Sequence, residues 1–140
     1  MECRVLVIGH GTISEDVIRT AKLIMTTNHP IHFINLPENQ DMDAYEKQIE
    51  EIVQENSDKG ILIITDLLGG SPFLTSAKIF EKHWGENIEL ITGLNLPMMI
   101  EVIANIHDVS VSQLKDLAIN AGIKGIVDFR SSVNSVNRRK

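Results

Sequence analysis

The run Ile61-Leu62-Ile63-Ile64, followed at once by Thr65-Asp66-Leu67-Leu68-Gly69-Gly70-Ser71-Pro72-Phe73, constrains this chain more than any other stretch. Four consecutive apolar residues, most of them isoleucine, fit a parallel strand covered on both faces; a strand with one wet face would alternate. Asp66 closes the strand and Gly69-Gly70 permits a tight turn. Ser71-Pro72 then reads as an N-cap followed by proline at the first helical position. A helix start opened by two glycines presents free backbone N–H groups, which is how proteins hold an anion.

Similar strand-to-helix units recur along the chain. Cys3 to Ile8 reads as a first strand that stops at Gly9-His10-Gly11. Thr12 and Glu15 have capping-box spacing, and Ile13, Val17, Ile18 and Ala21 begin a broad apolar helix face that ends near Thr26 to Asn28, before His29-Pro30. Ile31 to Asn35 is a second, shorter strand. Met42, Tyr45, Ile49, Ile52 and Val53 recur at helical spacing, and Ser71 to about Lys82 is a third helix. Ile88 to Thr92 is a fourth strand, and Pro97 suits the first position of a helix running to about Ile106. A further helix, from about Val111 to Ala121, is expected to stop at Gly122 as its C′ residue. Ile126 to Phe129 reads as a last brief strand before a Ser/Asn-rich remainder.

This alternation predicts an α/β fold: a doubly wound, mainly parallel sheet with helices on both faces. Residues 1–130 form one expected domain and residues 131–140 a loose tail. With strand order 2-1-3-4, the ligand crevice lies between strands one and three, where Gly9-His10-Gly11 faces the stretch from Thr65 to Ser71.

A net charge of −6 argues against a nucleic-acid partner, since phosphates require a basic face. The basic run Arg138-Arg139-Lys140 reads as a solvated end. No signal-peptide pattern and no apolar run of membrane-spanning length is present, so a cytoplasmic location is expected. Cys3 can make no internal disulfide and reads as a small core residue. His29, His32, His83 and His107 lack metal-ligand spacing and read as surface or satisfied histidines; neither a metal site nor a cofactor is expected.

The two facing loops offer an imidazole, a carboxylate, a hydroxyl and a helix N-terminus, with no lysine or arginine among them. That set suits a histidine that carries a phosphoryl group transiently. One ring nitrogen attacks while the other holds the proton, and Asp66 can accept that proton's hydrogen bond and fix the tautomer of His10. The N–H groups of Gly70 and Ser71, with the Ser71 hydroxyl, can bind phosphoryl oxygens beside Gly69. No Gly-x-x-x-x-Gly-Lys-Ser/Thr loop and no evident magnesium-binding acid pair is present, so the donor reads as a phosphoprotein and not ATP.

Three rival readings use the same residues. Gly9-His10-Gly11-Thr12-Ile13-Ser14 approaches a dinucleotide fingerprint, but Ser14 replaces the third glycine and the second strand ends in Asn35, not an acid. Gly69-Gly70-Ser71-Pro72-Phe73 resembles half of a nucleophile elbow, yet Phe73 stands where a glycine is needed. A non-enzymatic phosphate- or nucleotide-binding regulatory module, using the Gly69-Gly70-Ser71 helix start, is the alternative from another functional class.

His10-Gly11, the run Asp66-Leu67-Leu68-Gly69-Gly70-Ser71-Pro72-Phe73 and the run Gly93-Leu94-Asn95-Leu96-Pro97-Met98, in this order, resemble the mannose-family IIA component of the bacterial sugar phosphotransferase system. The resemblance spans nearly the whole chain. It implies that His10 accepts a phosphoryl group from the phosphocarrier protein HPr and passes it to a IIB component, with membrane IIC and IID components engaged indirectly. Asp66 would orient His10 and Ser71 would contact the phosphoryl group. It also implies a homodimer in which Ile126 to Phe129 pairs antiparallel with the partner subunit's sheet. Members often carry serine or threonine where this chain has Gly9, and with the chain ending soon after the last strand no fused IIB domain is expected. A phosphotransfer subunit of dihydroxyacetone kinase has a similar fold and histidine, but the Gly-Gly-Ser-Pro-Phe and Asn-Leu-Pro-Met runs favour the sugar system. Leu67, Leu68, Phe73, Leu94 and Leu96 surround the expected site and would suit docking of protein partners. The identity of the sugar is not encoded in such a subunit.

Overall fold

The computed structural model describes residues 2–137. Four strands, β1 (Arg4–His10), β2 (His32–Leu36), β3 (Ile61–Thr65) and β4 (Ile88–Thr92), form one sheet in the order β2-β1-β3-β4. Every pairing is parallel, so the doubly wound α/β reading and its strand order hold. Helices α1 (Ile13–Met25), α2 (Met42–Asn56), α3 (Ser71–Lys82), α4 (Leu96–Asn105) and α5 (Val111–Lys124) connect or cover the strands, and α6 (Phe129–Asn137) follows.

The two faces of the sheet sort by the two-residue period of the strands. Val5, Val7, Leu62 and Ile64 point into one core with Ile18 and Ala21 of α1, Met99, Val102 and Ile103 of α4, and Leu114 and Ala118 of α5. Leu6, Ile8, Ile61 and Ile63 point the opposite way, onto Tyr45, Ile49 and Val53 of α2 and Ile79 of α3. All five residues of β3 are buried, as expected for a central strand with helices on both sides. Each of its isoleucines removes about 1.5–3 kcal/mol worth of apolar surface from water.

Four local expectations are corrected. Thr12 closes no capping box with Glu15; its hydroxyl donates to Asp16 instead, while Glu15 pairs with Arg19 and Asn35. The capping box that does form joins Ser110 and Gln113 at the start of α5. Gly122 does not end α5 but lies inside it, because a Cβ there would sit 3.1 Å from Met98 Cε: its role is close packing against α4. Ile126 to Phe129 makes no strand; residues 126–128 are irregular and Phe129 opens α6, so part of the expected loose tail is helical. Among the described residues no strand pairs with this segment, and a short apolar run needs a paired neighbour to hold strand geometry. The basic run Arg138-Arg139-Lys140 lies outside the described residues.

Candidate functional site

The carboxyl ends of β1 and β3 lie side by side, with Ile8 in register with Thr65, so the residues that follow each strand meet above the sheet. His10 closes β1 and Asp66 follows β3. Asp66 Oδ2 lies 2.9 Å from His10 Nδ1 and also accepts the backbone N–H of His10 at 2.9 Å. The imidazole is 47% exposed and the carboxylate only 10%, so a fixed, half-sheltered acid holds a ring that solvent and partners can reach.

Burial pushes the Asp66 carboxyl up, but the hydrogen bonds from the His10 backbone and imidazole outweigh it and hold the group below the usual carboxylate range. An ionised Asp66 can only accept, so Nδ1 carries the proton and donates. The lone pair is therefore left on Nε2, the nitrogen turned towards α3.

Gly70 shapes that side of the site. A Cβ on Gly70 would stand 2.6 Å from His10 Cε1 and 3.1 Å from Nε2, so only glycine lets the imidazole lie against the start of α3. Gly69 serves the backbone instead, with φ +87, a conformation that side chains resist. Gly70, not Ser71, is the N-cap of α3, and no side chain caps it. Ser71 and Pro72 are the first helical residues, and Ser71 is exposed. The first N–H groups of a helix have no intrahelical partner and carry the positive end of its dipole, so α3 presents an anion cradle beside Nε2.

Gly9 has its own reason. A Cβ there would meet Ile13 Cγ2 at 2.6 Å, Ser14 Oγ at 2.8 Å and Asp66 Cγ at 3.2 Å, so a serine or threonine would force the side chains of Ile13, Ser14 or Asp66 to shift.

The expected docking residues divide. Leu67 and Leu68 are 59% and 69% exposed on the loop beside His10. Phe73 is half-buried. Leu94 belongs to the core and its N–H bonds to Thr65 O at 3.1 Å, so it fixes a loop instead of presenting a surface. Leu96 is half-buried and also packs on that core. In the same motif Asn95 is structural: its Oδ1 caps α4 through Met98 N–H and its Nδ2 donates to Gly122 O of α5.

Sequence reasoning missed Tyr45. It is fully buried under the sheet, and burial, then the negative charge of Asp66, raises its hydroxyl pKa. Tyr45 Oη and Asp66 Oδ1 are both buried and lack a hydrogen-bond partner among the described residues. The helical spacing of α2 marked Tyr45 as core, but nothing in the sequence placed Asp66 within its electrostatic reach.

The family model for the "PTS system fructose IIA component" matches residues 4–119. The mannose-specific EIIAB component of Escherichia coli K12 is 30% identical over 124 residues, covering 86% of this chain. The chain spans 38% of that longer relative. The sorbose-specific EIIA component of Lacticaseibacillus casei is 26% identical over 110 residues, covering 79% of this chain and 78% of the relative. Among solved structures, a phosphotransferase system component EIIA from Streptococcus agalactiae superposes with a TM-score of 0.84 at 26% identity, covering 92% of this chain and 98% of the other. No helix among the described residues is long and apolar enough to cross a membrane.

Proposed function

Since the chain belongs to the family of PTS fructose IIA components, a family of phosphotransferase system proteins, we propose that it is a phosphohistidine relay in which His10 takes a phosphoryl group from phospho-HPr and passes it to a IIB component during sugar uptake. The observation that carries this reading is the division of labour on one ring: Asp66 holds Nδ1 while Nε2 lies against the N-cap of α3.

In the forward step the Nε2 lone pair forms an N–P bond as the bond between phosphorus and the donor's histidine breaks. The donor's imidazole leaves with the electron pair. Positive charge that develops on His10 is offset by ionised Asp66, which keeps its hydrogen bond to Nδ1–H throughout. The phosphoryl oxygens meet the N–H groups of Gly70 and Ser71 and the Ser71 hydroxyl. The second step is the reverse chemistry on the IIB partner, and the lack of a lysine or arginine in the two loops keeps the phosphoryl group from being held too tightly to leave.

Leu67 and Leu68 supply the apolar part of the docking surface, where a partner's burial of the site excludes the water that hydrolyses phosphohistidine. The protein acts in the cytoplasm, where its proposed partners are. A second copy of the chain is the proposed partner of the C-terminal segment, since Ile126 and Phe129 are 80% and 79% exposed and β4 leaves an open sheet edge.

The test is intact-mass spectrometry after incubation with phosphoenolpyruvate, enzyme I and HPr. One acid-labile phosphate, absent from His10→Ala, is expected. A folded protein that takes no phosphate while the carriers are active would instead favour a phosphate- or nucleotide-binding regulatory module built on the same helix start.

A further inference from the structure

At the opposite end of the sheet from His10, three segments distant in sequence bring Glu2, His29 and His107 together. Glu2 precedes β1, His29 lies between α1 and β2, and His107 follows α4. Their potential donor atoms all lie within 4.8 Å of one another. Glu2 Oε1 is 3.7 Å from His29 Nε2 and 3.5 Å from His107 Nδ1, so both imidazoles turn a nitrogen to the same carboxylate oxygen. Neither separation is a hydrogen bond. Both suit the edge of a tetrahedron: donors about 2.0–2.1 Å from a zinc ion are about 3.3 Å apart.

The surrounding fold holds these groups in place. The two imidazole rings meet edge-on, with centroids 4.4 Å apart and planes at 83°. Cys3 N–H donates to Ile106 O at 3.3 Å and the Cys3 thiol donates to Val109 O at 3.2 Å, which ties the residue after Glu2 to both sides of His107. His29 N–H donates to Thr27 Oγ1 at 3.3 Å, fixing the turn before β2.

We propose that Glu2, His29 and His107 form a binding site for a divalent transition metal of the zinc type, remote from the phosphotransfer site. Two imidazoles and a carboxylate select borderline metals over magnesium or calcium, which take oxygen ligands. Three protein donors leave a fourth position open to water or to a ligand from another molecule. Glu2 Oε1 also lies 3.6 Å from Arg4 Nη1, so the metal competes with that ion pair. Affinity therefore falls short of closed four-ligand zinc sites. The seven-residue β1 separates the two ends of the sheet by roughly 23 Å, so the metal cannot take part in chemistry at His10.

The experiment is a calorimetric titration of the untagged full chain with Zn²⁺, in a background of His10→Ala and His83→Gln that removes the imidazoles paired with Asp66 and with Glu50 and Glu86. A parallel titration with Co²⁺ reads the visible absorption of tetrahedral coordination. One equivalent is expected to bind, about tenfold or more weaker after His107→Ala and also weaker after Glu2→Gln. His107 is exposed, so its variant keeps the fold, and an unchanged far-UV circular dichroism spectrum and melting temperature for His107→Ala check this. No saturable binding to the parent, or equal binding by parent and His107→Ala, overturns the assignment. Neither result bears on the relay, whose test is phosphate on His10.

Discussion

His10 Nδ1 and Asp66 Oδ2 stand 2.9 Å apart, and the same carboxylate oxygen accepts the His10 backbone N–H at an equal distance. One oxygen thus fixes both the position of β1's last residue and the tautomer of its ring. Asp66→Asn leaves the size of the side chain nearly unchanged but supplies a weaker acceptor and no charge. In the proposed relay, phosphorylation of His10 by phospho-HPr is expected to slow about 100-fold, as measured by rapid quench; unchanged kinetics would remove Asp66 from its role.

The two glycines before α3 should respond differently. Gly70→Ala places a methyl against the His10 ring, a side chain that can swing aside, so stability changes by less than about 1 kcal/mol while transfer falls about 100-fold. Gly69→Ala meets no atom within 4 Å but forces alanine into positive φ. It should cost about 1–2 kcal/mol in chemical denaturation. If Gly70→Ala were the more destabilising of the two while transferring normally, the ring would not lie against the helix start.

His83 gives a pH signature away from the site. Its Nε2 is 2.7 Å from Glu50 Oε1 and its Nδ1 bonds Glu86. The Glu50 hydrogen bond, reinforced by Glu86, raises its pKa against the opposing effect of burial. A raised pKa means the folded state binds this proton more tightly than the unfolded chain does. The stabilisation is complete below the unfolded value, about 6.5, and disappears as pH rises through the higher folded value. The melting-temperature advantage of the parent over His83→Gln should therefore shrink as pH rises from about 6 towards the alkaline side. A constant or growing difference would show that the carboxylates do not hold the proton.

Phe129, exposed at the start of α6, tests the proposed dimer. Phe129→Asp should raise the dimer dissociation constant at least about 30-fold, the equivalent of about 2 kcal/mol, in sedimentation velocity. A parent chain that sediments as a monomer at all concentrations would end the proposal.

The sheet was legible because β3 announces itself: an apolar run with no alternation has one place in an α/β fold, and Asp66 with Gly69-Gly70 marks its carboxyl end. The juxtaposition of His10 and Asp66 followed from strand order, so the core of the site was readable before any distance was known. Other features depend on tertiary neighbours that spacing does not encode. Gly122 reads as a helix end in sequence, but its missing side chain makes room for Met98. Ser71 looks like a cap, yet the turn of Gly69 hands that position to Gly70. Ile126 to Phe129 carries a strand-like composition, but a strand needs an edge. Glu2, His29 and His107 follow no local ligand pattern because three loops gather them.

The parallel pairing of β1 with β3 joins residues 56 positions apart at the site. A growing polypeptide exposes His10 long before Asp66 and the α3 turn have been made, and local structure alone cannot bring them together. Until the central strands pair, the imidazole lacks both its tautomer lock and its anion cradle. In the proposed relay, unfinished or misfolded copies would therefore draw no phosphoryl groups from the carrier pool, and competence for transfer becomes a property of the completed sheet.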